Sequence, residues 1–199
     1  TIKWFRNQAS QESIGIIFGL ASKSSPKSKN HLLFIDKIGD ITASYAKIHP
    51  FSYSTENQYF EGGNEIVSTS WRKIKIGFTI CYDLRFPELY QGLSRDCEII
   101  INIANWPKRR IEHWRTLLKA RAIENQVFMV GVNRTGTDGN NIEYEKSSAV
   151  YAPDGQELKS ECMNMELDIY KINIEEVSKI RIAFPVKNDR KIELYKNII

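Results

Sequence analysis

The sequence is short of the features that would tie it to a membrane, a metal or an oxidising compartment. It has three cysteines, Cys81, Cys97 and Cys162. They are odd in number, far apart and without CxxC or Cys/His spacing, which argues against a disulfide framework and a zinc site and for a reducing cytoplasm. No apolar run approaches the length needed to cross a bilayer, and the opening TIKWFRNQAS lacks the hydrophobic segment of a secretory signal. Charge of one sign is scarce too. The 28 Lys and Arg are interspersed with 24 Asp and Glu for a net charge of +4, too weak a field to imply a nucleic-acid or membrane partner. The single basic run, Lys108-Arg109-Arg110, reads as the solvated first turn of a helix. Repeats, heptads and low-complexity tracts are missing as well.

What is present suits one folded unit. A length of 199 residues with 42% apolar content is enough for one sizeable core, so a single domain over 1–199 is expected. Ile2, Phe5 and Ala9 read as the tail of an amphipathic helix, and IGIIFGLAS as a strand. HLLFID and ITASYAKI, joined by KIGD, read as a β-hairpin. Ile74, Ile76, Phe78 and Ile80 then alternate with Lys73, Lys75, Gly77 and Thr79, which by parity puts Cys81 on the polar side at the end of the run. YDLRFPELYQGLS reads as a short helix with an irregular start. EIIINIANW and VFMVGVN have the continuous apolar character of strands covered on both faces. Between them Pro107 suits a first helical turn, and Ile111, Trp114, Leu117, Leu118 and Ile123 recur at helical spacing as far as Asn125. KSSAVYAPDGQEL reads as a strand entering a turn, with MELDIYKINI as its return arm. The alternation predicts an α/β or layered α+β fold.

Two residues invite a chemical reading. Cys81 stands where a buried strand gives way to a helix, a position both rigidly held and open to a crevice, with Gly77 and Thr79 as small neighbours leaving room for a ligand. Lys47 ends a strand face shared with Tyr45 and Ala43. Taken singly, each also has a bland account: an inert buried thiol, and a lysine snorkelling to solvent. Cys97 and Cys162 have no comparable setting, and none of His31, His49 and His113 is an obvious base for a thiol.

Taken together, the segments resemble the carbon-nitrogen hydrolases of the nitrilase superfamily. GFTICYDLRFPELY is similar to that family's nucleophile segment, ITASYAKIHPF to the segment carrying its lysine, and ANWPKRRIEHWRTLLKARAIENQVFMVGVNRTGTDGN and SSAVYAPDGQEL continue the match. The wording of ANWP and ARAIENQ is most similar to bacterial omega-amidases, which hydrolyse the terminal amide of 2-oxoglutaramate-like dicarboxylic acid monoamides. The resemblance implies a four-layer α-β-β-α sandwich that assembles as a homodimer or higher homo-oligomer on a small-molecule amide, and no residue cluster calls for a metal or cofactor. It assigns Cys81 as nucleophile, Lys47 as its cation and Glu56 as a further acid, with Tyr82, Arg85, Asn105, Trp106 and Arg121 expected at the substrate. Of these, Arg85 and Arg121 are the candidates for a substrate carboxylate, and the cation beside Cys81 is expected to lower its thiol pKa. The family's general-base glutamate has no counterpart here. It is expected, with a strand, a helix and a second strand, ahead of Thr1. Another branch of the superfamily, such as an N-carbamoyl amidase or a nitrilase proper, and a non-catalytic dimerising member are the alternatives.

Overall fold

The computed structural model describes residues 1–23, 25–161 and 167–197; Cys162 and the start of MELDIYKINI lie outside them. Helix α1 (Ile2–Glu12) leads into a meander of β1 (Ile16–Ser22), β2 (Lys29–Ile35) and β3 (Ile41–Ala46), antiparallel throughout and in the order β1-β2-β3. The turn between β2 and β3 is closed by Asp36, whose carboxylate accepts the amides of Ile38 and Asp40, and by Gly39 at φ 89, a conformation that favours glycine. After the short helix α2 (Glu56–Tyr59) come β4 (Ser68–Trp71), β5 (Ile74–Ile80), α3 (Pro87–Leu93), β6 (Ile99–Ala104), α4 (Ile111–Asn125) and β7 (Phe128–Asn133). The chain continues through β8 (Gly136–Thr137), β9 (Glu143–Tyr144) and β10 (Ala149–Tyr151) to α5 (Glu175–Ala183) and α6 (Ile192–Tyr195). A second sheet has the order β10-β7-β6-β5-β4, with β5, β6 and β7 parallel as right for strands separated by helices.

Three apolar clusters separate four layers. Ala9 of α1, with Phe5, packs on Phe18, Leu33 and Ile35. The other face of that small sheet, through Leu32, Phe34 and Tyr45, meets Ile76, Phe78, Ile80 and Phe128 of the five-stranded sheet. On the far side, α3 and α4 bury Leu89, Leu93, Trp114 and Leu118 against Ile100 and Met129. The order is therefore α-β-β-α. Full burial of side chains such as Phe78 and Leu118 contributes about 1.5–3 kcal/mol each. Gly131 in β7 matters to this packing, since a methyl there would collide with Leu118 and Trp114.

Several expectations need correction. The second face of β5 is not a polar side: Gly77 and Thr79 are buried under α3. A Cβ on Gly77 would lie 2.9 Å from Leu93 Cδ2 and 3.2 Å from Cys97 Sγ, and Thr79 Oγ1 is 2.9 Å from Tyr90 Oη. Their small size seats a helix rather than a ligand. The return arm after the Pro153-Asp154-Gly155 turn is Glu157–Leu158, with a bridge to Tyr151 and Leu158 N–H donating to Val150 O at 2.8 Å. The described part of MELDIYKINI forms no strand; Tyr170, Ile172 and Ile174 pack against the inter-sheet core. Strand β4 has no apolar alternation to betray it. Its sequence STSW pairs with β5 as an edge.

Candidate active site

Lys47 follows β3 with the same parity as Ala43 and Tyr45, so it points inward and is only 3% exposed. Its backbone is pinned on both sides: Lys47 N–H donates to Asn30 O at 2.9 Å, and its carbonyl accepts Gly63 N–H at 2.8 Å. A buried ammonium needs a partner. Glu56, in the first turn of α2, supplies it at 2.6 Å through Oε2. The same oxygen accepts Phe51 N–H at 2.7 Å, and Oε1 accepts Asn30 Nδ2 at 3.4 Å, so the carboxylate is fixed from three directions.

Cys81 is not the last strand residue but the first of a 3-10 turn, Cys81–Arg85, and its φ of 48 lies in the left-handed region. Such a conformation costs a non-glycine residue about 1–2 kcal/mol, so surrounding bonds must hold it. They do. Asn102, fully buried on β6, accepts Cys81 N–H at 3.1 Å through Oδ1 and donates through Nδ2 to Thr79 Oγ1 and Tyr90 Oη at 2.9 and 3.0 Å. Asp83, also fully buried, accepts Ile80 N–H at 2.9 Å, Tyr45 Oη–H at 2.7 Å, and His49 through both its backbone N–H (3.0 Å) and Nδ1 (2.8 Å). A carboxylate only accepts, so the His49 Nδ1 carries the proton in that bond.

The turn opens on a cavity of about 950 Å³ whose wall includes Lys47, Glu56, Cys81, Tyr82, Arg85, Asn105 and Trp106. Seven of the eight residues expected at the site are thus gathered from β3, α2, the Cys81 turn and the end of β6. The eighth, Arg121, does not reach the cavity. It is 5% exposed on α4, and its guanidinium donates to Leu84 O at 3.2 and 3.0 Å and to Glu124 Oε1 at 3.2 Å. Its expected place at a substrate carboxylate gives way to that of a brace behind the Cys81 turn. None of the three histidines lines the cavity.

Burial pushes the Cys81 thiol above its ordinary pKa, and the opposing pull of Lys47 and of the Asn105 carbonyl does not overcome it; Glu56 and Asp83 push the same way as burial. Lys47 pulls in the expected direction, but burial outweighs it and the net shift is upward. Among the described residues no cluster of His, Cys, Asp or Glu could hold a metal ion, and no helix is long and apolar enough to cross a membrane.

The cavity wall also contains residues that sequence reasoning passed over. Arg109 and Arg110, read as a solvated helix turn, line it, as do Asn133 and Arg134. Asn133 holds Trp106 in place, accepting its N–H at 2.7 Å and donating to its carbonyl at 2.9 Å. The arginines stand one residue beyond ANWP, at the mouth of a parallel strand, and no spacing in the sequence marks them as facing the cavity.

A family model described as carbon-nitrogen hydrolase matches residues 1–181. The chain belongs to that family. As a carbon-nitrogen hydrolase it is 37% identical to the omega-amidase YafV of Escherichia coli K12 over 78% of its own length and 60% of that protein's, so it spans well under two thirds of that relative. It is 31% identical to the 2-oxoglutaramate amidase of Bacillus subtilis, with 96% of this chain and 74% of the relative covered. The solved structure of a CN-hydrolase superfamily protein from Xanthomonas campestris, with an arsenic adduct in its active site, superposes with a TM-score of 0.84 at 30% identity, covering 96% of this chain and 74% of that one. The four-layer arrangement of this carbon-nitrogen hydrolase is thus the family's.

Proposed function

We propose that the protein is an amidase of the omega-amidase type, releasing ammonia from the terminal amide of a 2-oxo dicarboxylic acid monoamide through a thioester on Cys81. The observation that carries the reading is the convergence of Cys81 with the buried Lys47–Glu56 pair on one cavity. Relatives named omega-amidase and 2-oxoglutaramate amidase supply the substrate class.

The chemistry follows from the groups present. Cys81 sulfur, as thiolate, forms a bond to the amide carbon while the carbonyl electron pair moves onto oxygen. The oxyanion sits between the Lys47 ammonium and the Tyr82 N–H, which is in the first turn of the 3-10 helix where intrahelical acceptors are lacking. Collapse breaks the C–N bond, and the nitrogen leaves as ammonia with an added proton. Water then attacks the thioester, the C–S bond breaks, and the thiol regains its proton as the acid departs. The two carboxylates lining the cavity, Glu56 and Asp138, are both engaged: Glu56 by Lys47 and Phe51, Asp138 by Tyr144 Oη–H at 2.8 Å and the amides of Asn140 and Ile142. Neither is a free base for the raised thiol. Without such a base the rate falls by about 10²–10⁴-fold. A non-catalytic, dimerising role is the second reading, favoured by the engagement of both acids.

Supplying 2-oxoglutaramate and measuring ammonia tests the proposal. Ammonia released above the blank and lost in Cys81→Ala supports it; turnover of nitriles or N-carbamoyl compounds alone moves the protein to another branch, and no turnover of any of them supports the second reading. The same proposal places the protein in the cytoplasm and takes it as a homodimer, the pairing supported by the exposed Ile182 (81%) and Phe184 (66%) on and beside α5. Light scattering that returns the mass of one chain would reject the pairing.

A further inference from the structure

Asn102 on β6 is the Cα partner of Thr79 on β5, and both side chains reach Tyr90 of α3. All three residues are fully buried. Their protons can be placed one by one. Thr79 Oγ1–H donates to Ile101 O at 3.2 Å, which spends the only proton it has. The 2.9 Å contact between Tyr90 Oη and Thr79 Oγ1 is therefore donated by the tyrosine. Asn102 Nδ2 gives its two protons to the same two oxygens, at 2.9 and 3.0 Å. Its Oδ1 is left facing Cys81 N–H, which it accepts at 3.1 Å. That N–H opens a 3-10 turn and has no acceptor inside it. Either hydroxyl alone suffices to orient the amide, so its direction is fixed twice over.

The bond matters because of where the thiol would otherwise lie. Side chains of a strand alternate, so an extended residue 81 would share the face of Gly77 and Thr79, beneath α3. The observed φ of 48 takes the chain out of that alternation, and Cys81 lines the cavity instead. A residue with a Cβ avoids this conformation unless its surroundings hold it there. We infer that Asn102 is the positioning residue of the nucleophile: its amide, aimed by Thr79 and Tyr90, keeps residue 81 left-handed and so turns the thiol from the helix face to the cavity. With Cys81 N–H taken in this way, the next amide, that of Tyr82, is the one left for an oxyanion. The inference rests on the amidase reading for its turnover arm only.

The test follows the rate at which iodoacetamide modifies Cys81, read by peptide mass so that Cys97 and Cys162 are scored apart. Asn102→Ala slows the modification about tenfold, the shift that one lost hydrogen bond makes in an equilibrium between two backbone conformations. Asn102→Ser, whose hydroxyl ends one bond short of the Cys81 amide, does the same, so the result does not hang on one variant. Thr79→Val and Tyr90→Phe each remove a hydroxyl from the network and lower the urea midpoint, yet each leaves Nδ2 one acceptor, and the labelling rate stays near the parent's. The double variant leaves Nδ2 none, and its rate falls to that of Asn102→Ala, more than the two single effects combined. Labelling at the parent rate in both Asn102 variants overturns the inference. A slowing by Thr79→Val and by Tyr90→Phe, singly, as large as that of Asn102→Ala also overturns it and marks a packing role. In the turnover arm, Asn102→Ala lowers kcat for a dicarboxylic acid monoamide with KM nearly unchanged. Absence of ammonia from every amide with the unmodified protein defeats the amidase reading, and the labelling rates still decide whether Asn102 places the thiol.

Discussion

Tyr45 and Asp83, 38 residues apart in the chain, meet in a buried 2.7 Å hydrogen bond that ties the strand delivering Lys47 to the turn delivering Cys81. The Tyr45 oxygen in turn accepts Ile48 N–H at 3.3 Å, and Asp83 holds His49, so the segment on either side of Lys47 is fastened to one carboxylate. Lys47 and Cys81 come from different sheets. Their relation is set by this clamp more than by either strand.

Replacing Asp83 by alanine therefore removes the acceptor for four donors at once. An unsatisfied buried donor costs about 1–3 kcal/mol, so Asp83→Ala loses at least about 3 kcal/mol in urea unfolding. Tyr45→Phe leaves the other three donors to Asp83 satisfied but takes the acceptor from Ile48 N–H, and loses about 1–2 kcal/mol. Equal losses for the two variants would show that the carboxylate is not the centre of the network.

The Lys47–Glu56 pair gives a sharper contrast. Both side chains are largely out of solvent, 4% and 16% exposed, so removing one partner strands the other. Glu56→Ala costs about 3–5 kcal/mol, whereas the double change Lys47→Met with Glu56→Gln recovers most of that stability. Turnover stays lost in the double variant if Lys47 meets the oxyanion. Equilibrium unfolding and ammonia release, measured on the same preparations, separate the two effects; a double variant no more stable than Glu56→Ala would contradict the burial argument.

Much of the architecture could be read from the residues because its strands are either alternating or apolar throughout. β5 and the helix α4 fall where alternation and helical spacing put them, and β6 (Ile99–Ala104) and β7 (Phe128–Asn133) lie within the apolar runs EIIINIANW and VFMVGVN. STSW was missed because an edge strand need not bury either face, and the polar side assigned to Gly77 and Thr79 was wrong because small and hydroxyl residues pack under a helix as well as apolar ones do. Parity also failed at Cys81, where the chain leaves the strand one residue early and turns to positive φ. Seven of the eight residues named with the help of the family resemblance line the cavity. The arginines after ANWP could not be named, since a run of like charge gives no hint of which member turns inward. The sign of the thiol shift was also hidden, because it depends on burial, which no spacing reports.

The strained turn at Cys81 yields a separate prediction. Alanine at this position keeps the left-handed backbone and its cost, while glycine adopts φ near 48 freely. Cys81→Gly is accordingly more stable than Cys81→Ala by about 1 kcal/mol in thermal or urea unfolding. Both variants fail to release ammonia under the proposed mechanism. A glycine variant no more stable than the alanine one would mean that the turn is unstrained and that its geometry stores nothing for the reactive group.

Lys187 offers a pH-dependent test remote from the cavity. Its ammonium donates to Ser94 O at 2.6 Å, at the C-terminal end of α3, with Arg181 Nη2 on the neighbouring Cys97 O at 2.8 Å and Arg190 Nη2 on Glu124 O at 3.0 Å. Burial first, then Arg181 and Arg190, lower its pKa from 10.5 to about 8. Between those two values the unfolded chain holds a proton that the folded chain has shed, so this group makes stability rise as pH climbs from about 8 to 10.5. Below that window both states are charged, and the folded state bears the full cost of a confined cation among two others. Lys187→Met removes that cost but also the bond to Ser94. Its melting temperature relative to the parent is therefore highest near neutral pH and declines as pH rises through the window. The Cys97 thiol, raised to about 11, interacts with Lys187 but titrates mostly above this window, so the difference is read between about 8 and 10.5. A difference that stays constant from neutral pH to above the window would show that Lys187 titrates as an ordinary surface lysine.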